Sequence, residues 1–437
     1  MADIAIIGAG VAGLSAAYDL AGSGHNVTVY EAGEKVGGLA AGFKDPDWDW
    51  TLEKFYHHWF ASDKDLLALA DELKVSHKIL FPRPKTSIWD NGNIYQLDSA
   101  KSALLLPTVP VTARLRFGAV MAFLRLTRQW RRLEKFTAHE WLEKYMGKTV
   151  YNKIWKPLLI GKFGKFYQEV NMAWFWARVY SRTPRLGTFR GGFQAFMEVL
   201  ANAVTKRGVT IYLHTGIGSI RKEENGKISL QIIDGDQADY DMVLSTTSPH
   251  LLRKLAPQIN GEYAQKLENL RHTGAVVVIV ALKEQMLEDG TYWLNLPANS
   301  PDKSENEFPY VAFVEHTNYM KPGYYGGNHL VYMGDYVPTD HEYFKMDVDE
   351  LAGRFMATLP KFNSKFKEDW IIKHWVVRAP YAQPLPTLNH SENIPDIKTP
   401  VDGLYWASMS QVYPWDRGTN YAVEIGRRAA KLMMESQ

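Results

Sequence analysis

The hydrophobic pattern is sharpest in the first thirty residues of the chain. An apolar run at 4–7 leads directly into Gly8, and a second apolar run at 27–30 follows Gly24. Between them, apolar residues recur at helical spacing: Leu14, Ala17, Tyr18 and Ala21. Short apolar runs predict buried strands, and the helical spacing predicts an amphipathic helix. The pattern therefore predicts a strand, a helix and a second strand in succession.

The same two types of element are predicted farther along the chain. A helix is expected at 193–207, and strands are expected at 209–214, 228–233 and 240–247. Four β-rich segments separated by turns predict an antiparallel sheet, at 275–282, 291–296, 310–315 and 330–336. An Asn91-Gly92 turn predicts a β-hairpin over 86–97.

Three glycines occupy the turn between the first strand and its helix. Gly8 allows a tight turn, Gly10 lets the backbone approach a pyrophosphate, and Gly13 lets helix and strand pack closely. Val11 and Ala12 open the helix, where unpaired N–H groups and the positive end of the helix dipole attract phosphate. Strand, glycines and helix in this order predict a dinucleotide-binding site.

An acidic residue ends the second strand, as such a site requires. Glu31 lies eighteen residues after Gly13 and can accept hydrogen bonds from a ribose diol, with Ala32 beside it. This pattern is shared by NAD and FAD sites, so by itself it leaves both cofactors open.

Composition excludes several classes of protein. The 437 residues suffice for two domains, and a formal net charge of +2 favours no nucleic-acid partner. No apolar run reaches the length of a membrane span, and no His/Asp/Glu set has the spacing of a metal site. The absence of cysteine excludes disulfides, thiol nucleophiles and a cysteinyl–flavin link. A cytoplasmic location is expected, since the first strand leaves no room for a signal peptide.

Residues 31–38 extend the motif in a way that favours FAD. The run Glu31-Ala32-Gly33-Glu34-Lys35-Val36-Gly37-Gly38 resembles the extension typical of the superfamily of amine oxidases, protoporphyrinogen oxidases, phytoene desaturases and UDP-galactopyranose mutases. The resemblance implies that Gly37 and Gly38 pass close to the pyrophosphate and flavin of a non-covalent FAD. Many members continue with Arg. Leu39 stands there in this chain, so one phosphate contact is expected to be missing.

The resemblance also implies the fold class and a division into domains. We expect an α/β protein with a Rossmann-like FAD-binding domain of the glutathione-reductase type, and a substrate domain of antiparallel sheet and helices. The FAD domain is expected to be discontinuous, comprising 1–86, 188–265 and 384–437. The substrate domain would comprise 87–187 and 266–383.

Six further cofactor-binding positions follow from the same resemblance: Ile217, Thr247, Met409, Gly418, Thr419 and Asn420. The backbone at Ile217 would meet the adenine, and Thr247 ends a strand at the cofactor crevice. Met409 stands where most members have an Asp that bonds the ribityl-phosphate region. The last three begin a helix whose N–H groups would face the pyrimidine end of the flavin.

Two adjacent histidines are the candidates for chemistry near the flavin. The segment 58–63 resembles the flavin-facing run of the mutases, and side chains alternate along an extended segment. We therefore expect His58 to face the flavin and His57 to act mainly on stability. A purely structural role for both remains the alternative.

A basic stretch at 114–132 suggests a partner. A single helix is expected there, with Phe123, Leu126, Trp130 and Leu133 on one face and Arg125, Arg128 and Arg132 on the other. Such a helix could be a solvated face, a membrane-surface contact, or a site for a phosphorylated ligand.

Three functions remain open on the sequence. The first is an FAD-dependent oxidoreductase that transfers a hydride from a small organic substrate to flavin N5. The second is a flavin-dependent sugar-nucleotide mutase, which the histidine run and the basic stretch favour. The third is a flavin-binding protein without turnover. The oligomeric state and the electron acceptor are not predicted.

Overall fold

The computed structural model describes residues 1–436, which form twenty strands and fourteen α-helices. The strands are β1 Asp3–Ile7, β2 Asn26–Tyr30, β3 Gly42–Phe43, β4 Leu52–Glu53, β5 Trp59–Phe60, β6 Ile79–Leu80, β7 Lys85–Asp90, β8 Asn93–Gln96, β9 Leu186–Phe189, β10 Thr210–Tyr212, β11 Ile217–Lys222, β12 Ile228–Ile232, β13 Gln237–Tyr240, β14 Met242–Ser245, β15 His272–Leu282, β16 Thr291–Asn295, β17 Ala312–Glu315, β18 His329–Val337, β19 Ile371–Pro384 and β20 Leu404–Trp406. The helices are α1 Val11–Gly22, α2 Lys64–Glu72, α3 Ala100–Leu104, α4 Val111–Leu126, α5 Ala138–Met146, α6 Lys148–Val150, α7 Lys156–Phe163, α8 Met172–Ser181, α9 Phe193–Lys206, α10 Pro249–Leu255, α11 Gly261–Asn269, α12 Val348–Met356, α13 His390–Asn393 and α14 Thr419–Glu435.

A five-stranded parallel sheet is built from distant parts of the chain, in the order β10-β2-β1-β14-β20. Its strands are apolar on both faces, as expected for a parallel sheet covered on both sides. One face packs on α1, α9 and α14, and the other packs on α10, α11 and the antiparallel meander β11-β12-β13. The predicted strand–helix–strand unit is confirmed, because β1 pairs with β2 in parallel.

A seven-stranded sheet forms the second layer, in the order β19-β15-β18-β17-β16-β7-β8. All four predicted strands between 275 and 336 lie in it, and the predicted hairpin is confirmed as β7-β8. Alternate residues of β15 enter two different cores, Val276 and Val278 on one face and Val277 and Ile279 on the other. The pairing is antiparallel except between β7 and β16, which are parallel.

Helices α4 to α8 form a layer with its own core, which includes Leu124, Trp141, Ile154 and Phe175. The prediction that one helix carries Phe123, Leu126, Trp130 and Leu133 is wrong. Helix α4 ends at Leu126, and a separate 3₁₀ helix follows at Trp130–Lys135. Thr127 adopts an extended backbone that ends the helix, and its carbonyl accepts the indole N–H of Trp176 at 2.9 Å.

Candidate active site

The glycine turn after β1 is closed by backbone contacts that leave no room for side chains. The Gly8 N–H donates to the Tyr30 carbonyl at 2.8 Å. Gly8 has φ +107°, and a Cβ there would lie 2.4 Å from Thr246 Oγ1. A Cβ at Gly13 would lie 2.0 Å from the Gly8 carbonyl oxygen. Both positions therefore require glycine, the first for its conformation and the second for close packing.

The second glycine pair lies against the first turn. The Gly37 N–H donates to the Ala9 carbonyl at 2.9 Å. A Cβ at Gly38 would lie 3.4 Å from the Gly10 Cα, so bare backbone faces bare backbone across a narrow gap. Gly37 and Gly38 both have positive φ, at +118° and +56°. Together these glycines form a side-chain-free cradle at the carboxyl end of β1.

Two helix N-termini complete the cradle. Helix α1 begins at Val11 and α14 begins at Thr419, and no side chain caps either end. The first N–H groups of a helix have no acceptor within the helix, so both ends offer free donors. The helices are in close contact, because a Cβ at Gly426 of α14 would lie 2.2 Å from the Ala12 carbonyl.

The Glu31 carboxylate is held at the rim of the cradle. It accepts the Ala9 N–H and the Gly33 N–H, each at 2.8 Å. Each carboxylate oxygen retains a second lone pair, so the group can still accept hydrogen bonds from a diol. Ala32 beside it is exposed.

The cradle fits FAD. Bare glycine backbone, two uncapped helix starts and a fixed carboxylate match the needs of a pyrophosphate and a ribose. Gly8, Gly10, Gly13, Gly37 and Gly38, which the sequence predicted for this site, all lie together here.

The other predicted cofactor positions lie at the edges of the same region. Ile217 opens β11 and packs with Tyr30 in a buried cluster. The Thr247 carbonyl, just beyond β14, accepts the Trp406 indole N–H at 2.9 Å. Met409 opens a 3₁₀ turn at Met409–Gln411.

Asn420 has a role that the sequence did not reveal. Its side-chain oxygen accepts the N–H groups of Asp65 and Leu66, at 2.9 and 3.1 Å. It therefore satisfies free donors at the start of α2, some 355 residues away in the chain. Thr419 is buried at the start of α14, and Gly418 before it is exposed.

Leu39 joins the cradle to the seven-stranded sheet. It packs with three alanines of β15 and β19, Ala275, Ala379 and Ala382. Tyr336 joins the same cluster. The residue that replaces the family's Arg thus makes an apolar contact with the sheet.

The two histidines differ in their partners. The ring of His58 packs against Tyr292, Trp293 and Tyr319, and its Nε2 hydrogen bonds the Tyr292 hydroxyl. The ring of His57 stacks near Phe193, and its buried Nδ1 has no hydrogen-bond partner among residues 1–436.

The electrostatic surroundings of His57 also differ. Burial and the nearby Arg417 lower the pKa of His57 to about 3, so it is neutral at physiological pH. Burial lowers the pKa of His58 as well. The structure therefore gives His58 a hydroxyl partner and leaves the buried Nδ1 of His57 without one among residues 1–436.

A group of cations near the start of α14, absent from the predictions, lies between the helical layer and the sheet. Arg178 and the Trp174 indole, on α8, both bind the Asp416 carboxylate. Arg417 donates to the Tyr336 hydroxyl at 2.6 Å. The Lys162 ammonium, on α7, lies 4.6 Å from the centre of the Tyr336 ring.

Arg182 completes this group, which we call the cation cluster: Lys162, Arg178, Arg182 and Arg417. Arg182 is exposed to solvent, although its protein surroundings and the nearby Arg178 lower its pKa to about 10. Lys162 is only half-buried by accessible surface, yet burial lowers its pKa well below the ordinary value. A sequence signal existed in α8, where Arg178 interrupts an otherwise apolar helix.

The basic residues of 114–132 do not form one face. Arg114, Arg116 and Arg125 donate to main-chain carbonyls of neighbouring segments. Arg128 and Arg132 are exposed. No helix within the described residues is long and apolar enough to cross a membrane.

Comparison with known proteins identifies the family to which this sequence is similar. The family described as flavin-containing amine oxidoreductase matches residues 11–434. A probable zeta-carotene desaturase of Synechococcus elongatus is 23% identical, over 99% of this chain and 99% of its own.

Two solved structures share the fold over the whole chain. A putative protoporphyrinogen oxidase from Exiguobacterium sp. 255-15 superposes with a TM-score of 0.78 at 18% identity, covering 100% of this chain and 99% of its own. Reduced UDP-galactopyranose mutase superposes with a TM-score of 0.77 at 16% identity, covering 100% and 96%. The expected fold class, an α/β protein with a Rossmann-like FAD domain, is confirmed.

Proposed function

The chain belongs to the flavin-containing amine oxidoreductases and is an FAD-dependent oxidoreductase, and we propose that it transfers a hydride from a small organic substrate to non-covalently bound FAD. When bound, FAD accepts the hydride at N5 of its ring. Family membership sets aside the hypothesis of a flavin-binding protein without turnover.

The contact of Leu39 with Ala275, Ala379 and Ala382 carries the proposal. Through it, the segment that follows the glycine cradle lies directly on the seven-stranded sheet. A flavin whose pyrophosphate lies in the cradle would extend toward this sheet and toward the cation cluster. Small alanine side chains leave room for a planar ring, and the adjoining aromatic side chains exclude water from it.

The protein's own residues would bind and orient the cofactor. The N–H groups of Val11 and Ala12 would donate to the pyrophosphate, and the carboxylate of Glu31 would accept from the ribose. The start of α14, at Thr419, would place its free N–H groups and positive dipole end against the ring, which favours electron uptake. His57 is neutral, so its ring could accept or donate a hydrogen bond next to the reacting atoms.

We propose the domain division that the sequence suggested. The strands of the parallel sheet lie within 1–86, 188–265 and 384–437, and those of the seven-stranded sheet lie within 87–187 and 266–383 except for residues 85–86 of β7 and residue 384 of β19. This distribution supports a discontinuous FAD domain and a separate substrate domain, with the candidate site between them.

Anaerobic mixing with candidate substrates tests the proposed reaction. A substrate should bleach the absorption of the oxidised flavin in a single turnover, and readmitted oxygen or an artificial acceptor should restore it. Gly13→Ala, which disrupts the cradle, is the negative control. Turnover that leaves the oxidised flavin unbleached and requires prior reduction by dithionite would contradict the proposal.

The second candidate function is a sugar-nucleotide mutase. One observation favours it: Arg417 donates to the Tyr336 hydroxyl, and Arg178 binds the adjacent Asp416, so two arginines and a tyrosine meet just before the start of α14. Such groups suit a diphosphate-bearing substrate. The dithionite arm of the same experiment separates the two, since an isomerase without net redox change would act only on reduced flavin.

We also propose that the face formed by α3 and α4 contacts an anionic membrane surface. Several large apolar side chains of this face are exposed: Leu104, Leu105, Val111, Leu115 and Leu126. Residues 99–133 carry seven Lys and Arg and no Asp or Glu. An apolar stripe with positive charges around it matches the boundary of an anionic bilayer. A cytoplasmic protein with peripheral membrane contact is the location consistent with this proposal.

Sedimentation with vesicles tests the membrane contact. Vesicles containing phosphatidylglycerol should bind the parent, and Leu115→Gln/Leu126→Gln should reduce binding about tenfold or more, because two exposed apolar anchors are lost. Arg190→Gln, an exposed arginine elsewhere, is the control. Equal binding by the parent and the double variant would contradict the proposal. Binding of soluble phosphate esters alone would indicate the ligand site instead.

A further inference from the structure

Glu134 is a buried acidic residue that the proposed function does not use. Its side chain is only 5% exposed. It accepts three hydrogen bonds, from the Tyr413 hydroxyl at 3.0 Å, the Ser391 hydroxyl at 2.8 Å and the Ser391 N–H at 3.2 Å. Within residues 1–436 the hydrogen-bond partners of this side chain are all uncharged. A carboxylate is costly to bury, so one that is held by neutral donors is a candidate for proton transfer.

The hydroxyl of Tyr413 has a fixed direction. It accepts the Asn171 amide N–H at 2.9 Å and donates to Glu134. The Asn171 amide oxygen accepts the Trp174 N–H at 3.0 Å, which leaves its NH₂ group for the tyrosine. An amide N–H can only donate and a carboxylate can only accept, so the tyrosine proton is directed at the carboxylate. Tyr413, Glu134 and Ser391 therefore form an oriented row of hydrogen bonds, which we call the hydroxyl–carboxylate chain.

The Ser391 end of this chain reaches solvent. Ser391 and Tyr413 both line a cavity of about 250 Å³, which we call the outer cavity. Three exposed residues line it as well: Arg131, Asp396 and Arg428. The outer cavity is therefore open to water, and the Ser391 hydroxyl can exchange a proton with the solvent.

Tyr413 also lines a second, smaller cavity. This inner cavity measures about 10 Å³, which is room for a single water molecule. Its walls include Met409 and Arg417, in the segment that leads to the start of α14, where the flavin is expected. Gln383 is another wall residue, only 2% exposed, and its Oε1 has no hydrogen-bond partner within residues 1–436. An unpaired acceptor in a small polar cavity is a site for a bound water.

On the basis of the proposed function, we infer that Tyr413, Glu134 and Ser391 carry a proton between the flavin site and the solvent. A neutral substrate that gives a hydride to the flavin also loses a proton from the neighbouring atom, and this proton must leave the site. Water in the inner cavity passes it to the Tyr413 oxygen, while the tyrosine's own proton moves to Glu134. The carboxyl group of Glu134 then turns and releases the proton through the Ser391 hydroxyl to water in the outer cavity. Each group returns to its starting protonation state, so charge is conserved.

The same path can be tested in reverse without a substrate. Flavin that receives two electrons takes up one proton from the medium as it is reduced. Two equivalents of reduced methyl viologen, which donates one electron and no proton, are mixed anaerobically with the holoenzyme in weak buffer that contains a pH indicator. In the parent, proton uptake should keep pace with bleaching of the flavin. In Glu134→Gln and Tyr413→Phe the uptake should be slower by about tenfold or more, because neither replacement can relay a proton.

Matched variants separate proton transfer from a purely structural effect. Tyr263→Phe removes a hydroxyl that donates to the Asp396 carbonyl at 2.7 Å, beside the outer cavity but outside the chain, and it should leave proton uptake unchanged. Ser391→Ala is the mildest change within the chain, since Ser391 is only partly buried, and it should also slow the uptake. Formate should restore fast uptake to Glu134→Gln, because the outer cavity admits a small acid. Equal uptake by the parent and by every chain variant that folds, or an equal delay in Tyr263→Phe, would overturn the inference.

A crystal structure of the parent provides a readout that needs no flavin chemistry. An ordered water should bind the Gln383 amide oxygen in the inner cavity, and a dry inner cavity at high resolution would overturn the inference. Neither measurement uses an organic substrate. Failure of the proton path is therefore distinguishable from failure of the proposed oxidation, which is tested by bleaching with substrate.

Discussion

Replacement of Gly13 by alanine measures how strongly the cradle depends on close packing. Alanine favours a helix over glycine by about 1 kcal/mol, so the change should stabilise an unconstrained site. At Gly13 the added Cβ would lie 2.0 Å from the Gly8 carbonyl oxygen, whereas ordinary contact begins at 3.4 Å. The helix and the turn must therefore separate by about 1.4 Å. The Gly8 N–H is bonded to the Tyr30 carbonyl, so the turn cannot move without breaking that bond.

Overpacking of this kind costs about 1–3 kcal/mol, and a broken buried hydrogen bond adds about 1 kcal/mol. After the gain in helix propensity, we expect Gly13→Ala to lower the free energy of unfolding by about 1–3 kcal/mol. It should also reduce the affinity for FAD at least tenfold, because the donors at the start of α1 move.

Gly353 in α12 provides the matched control. It is also helical, is exposed, and has no atom within 4 Å of an added Cβ. Gly353→Ala should therefore raise the free energy of unfolding by about 0.5–1 kcal/mol and retain FAD. Urea unfolding followed by circular dichroism, with FAD content measured by absorption, compares the two variants. If Gly13→Ala were as stable as Gly353→Ala and kept its FAD, the packing argument would be refuted.

Three further predictions concern polar groups, Glu31 and the two histidines of the candidate site and the buried carboxyl of Glu53, which accepts the Phe193 N–H at 2.9 Å. Glu31→Ala should weaken FAD binding by about 1–3 kcal/mol, because a charged hydrogen bond is lost. Fluorescence titration measures the affinity, and an unchanged value would show that the carboxylate does not bind FAD. Burial raises the pKa of Glu53 to about 7, so the stability from its protonated form is present below about pH 4.5 and is lost as the pH rises through 7. The unfolding free energy of the parent should therefore fall between pH 5 and pH 8, and that of Glu53→Gln should fall by roughly 3 kcal/mol less. Identical pH profiles of parent and variant would contradict this. His57→Ala should retain FAD and slow flavin reduction, measured by stopped-flow mixing. His58→Ala should mainly lower the melting temperature, because it leaves the Tyr292 hydroxyl without its hydrogen-bond partner. The opposite pattern would show that His58 is the flavin-side residue.

Local sequence determined the glycine cradle and the elements on either side of it. The strand, the glycine turn and the helix over 3–22 are specified by residues that are neighbours in the chain. Gly8 and Gly13 are required by contacts within that same short unit. The β7-β8 hairpin is likewise specified by the residues of its own turn, Asn91 and Gly92, which both adopt positive φ. Where the determining contacts are short in range, the pattern of residues suffices for prediction.

Only the tertiary structure decided the cation cluster, the end of α4 and the surroundings of the two histidines. The cation cluster combines α7 and α8 with the segment before α14, which lies more than two hundred residues farther along the chain. Arg178 and Asp416, for example, are separated by 238 residues. Helix α4 ends at an extended Thr127, whose carbonyl accepts the Trp176 indole N–H from α8, where helical periodicity alone predicted continuation. The roles of His57 and His58 depend on which rings the fold brings beside them. Charge and hydrogen-bond partners at such sites depend on the folded arrangement, because no local pattern records which distant groups will meet.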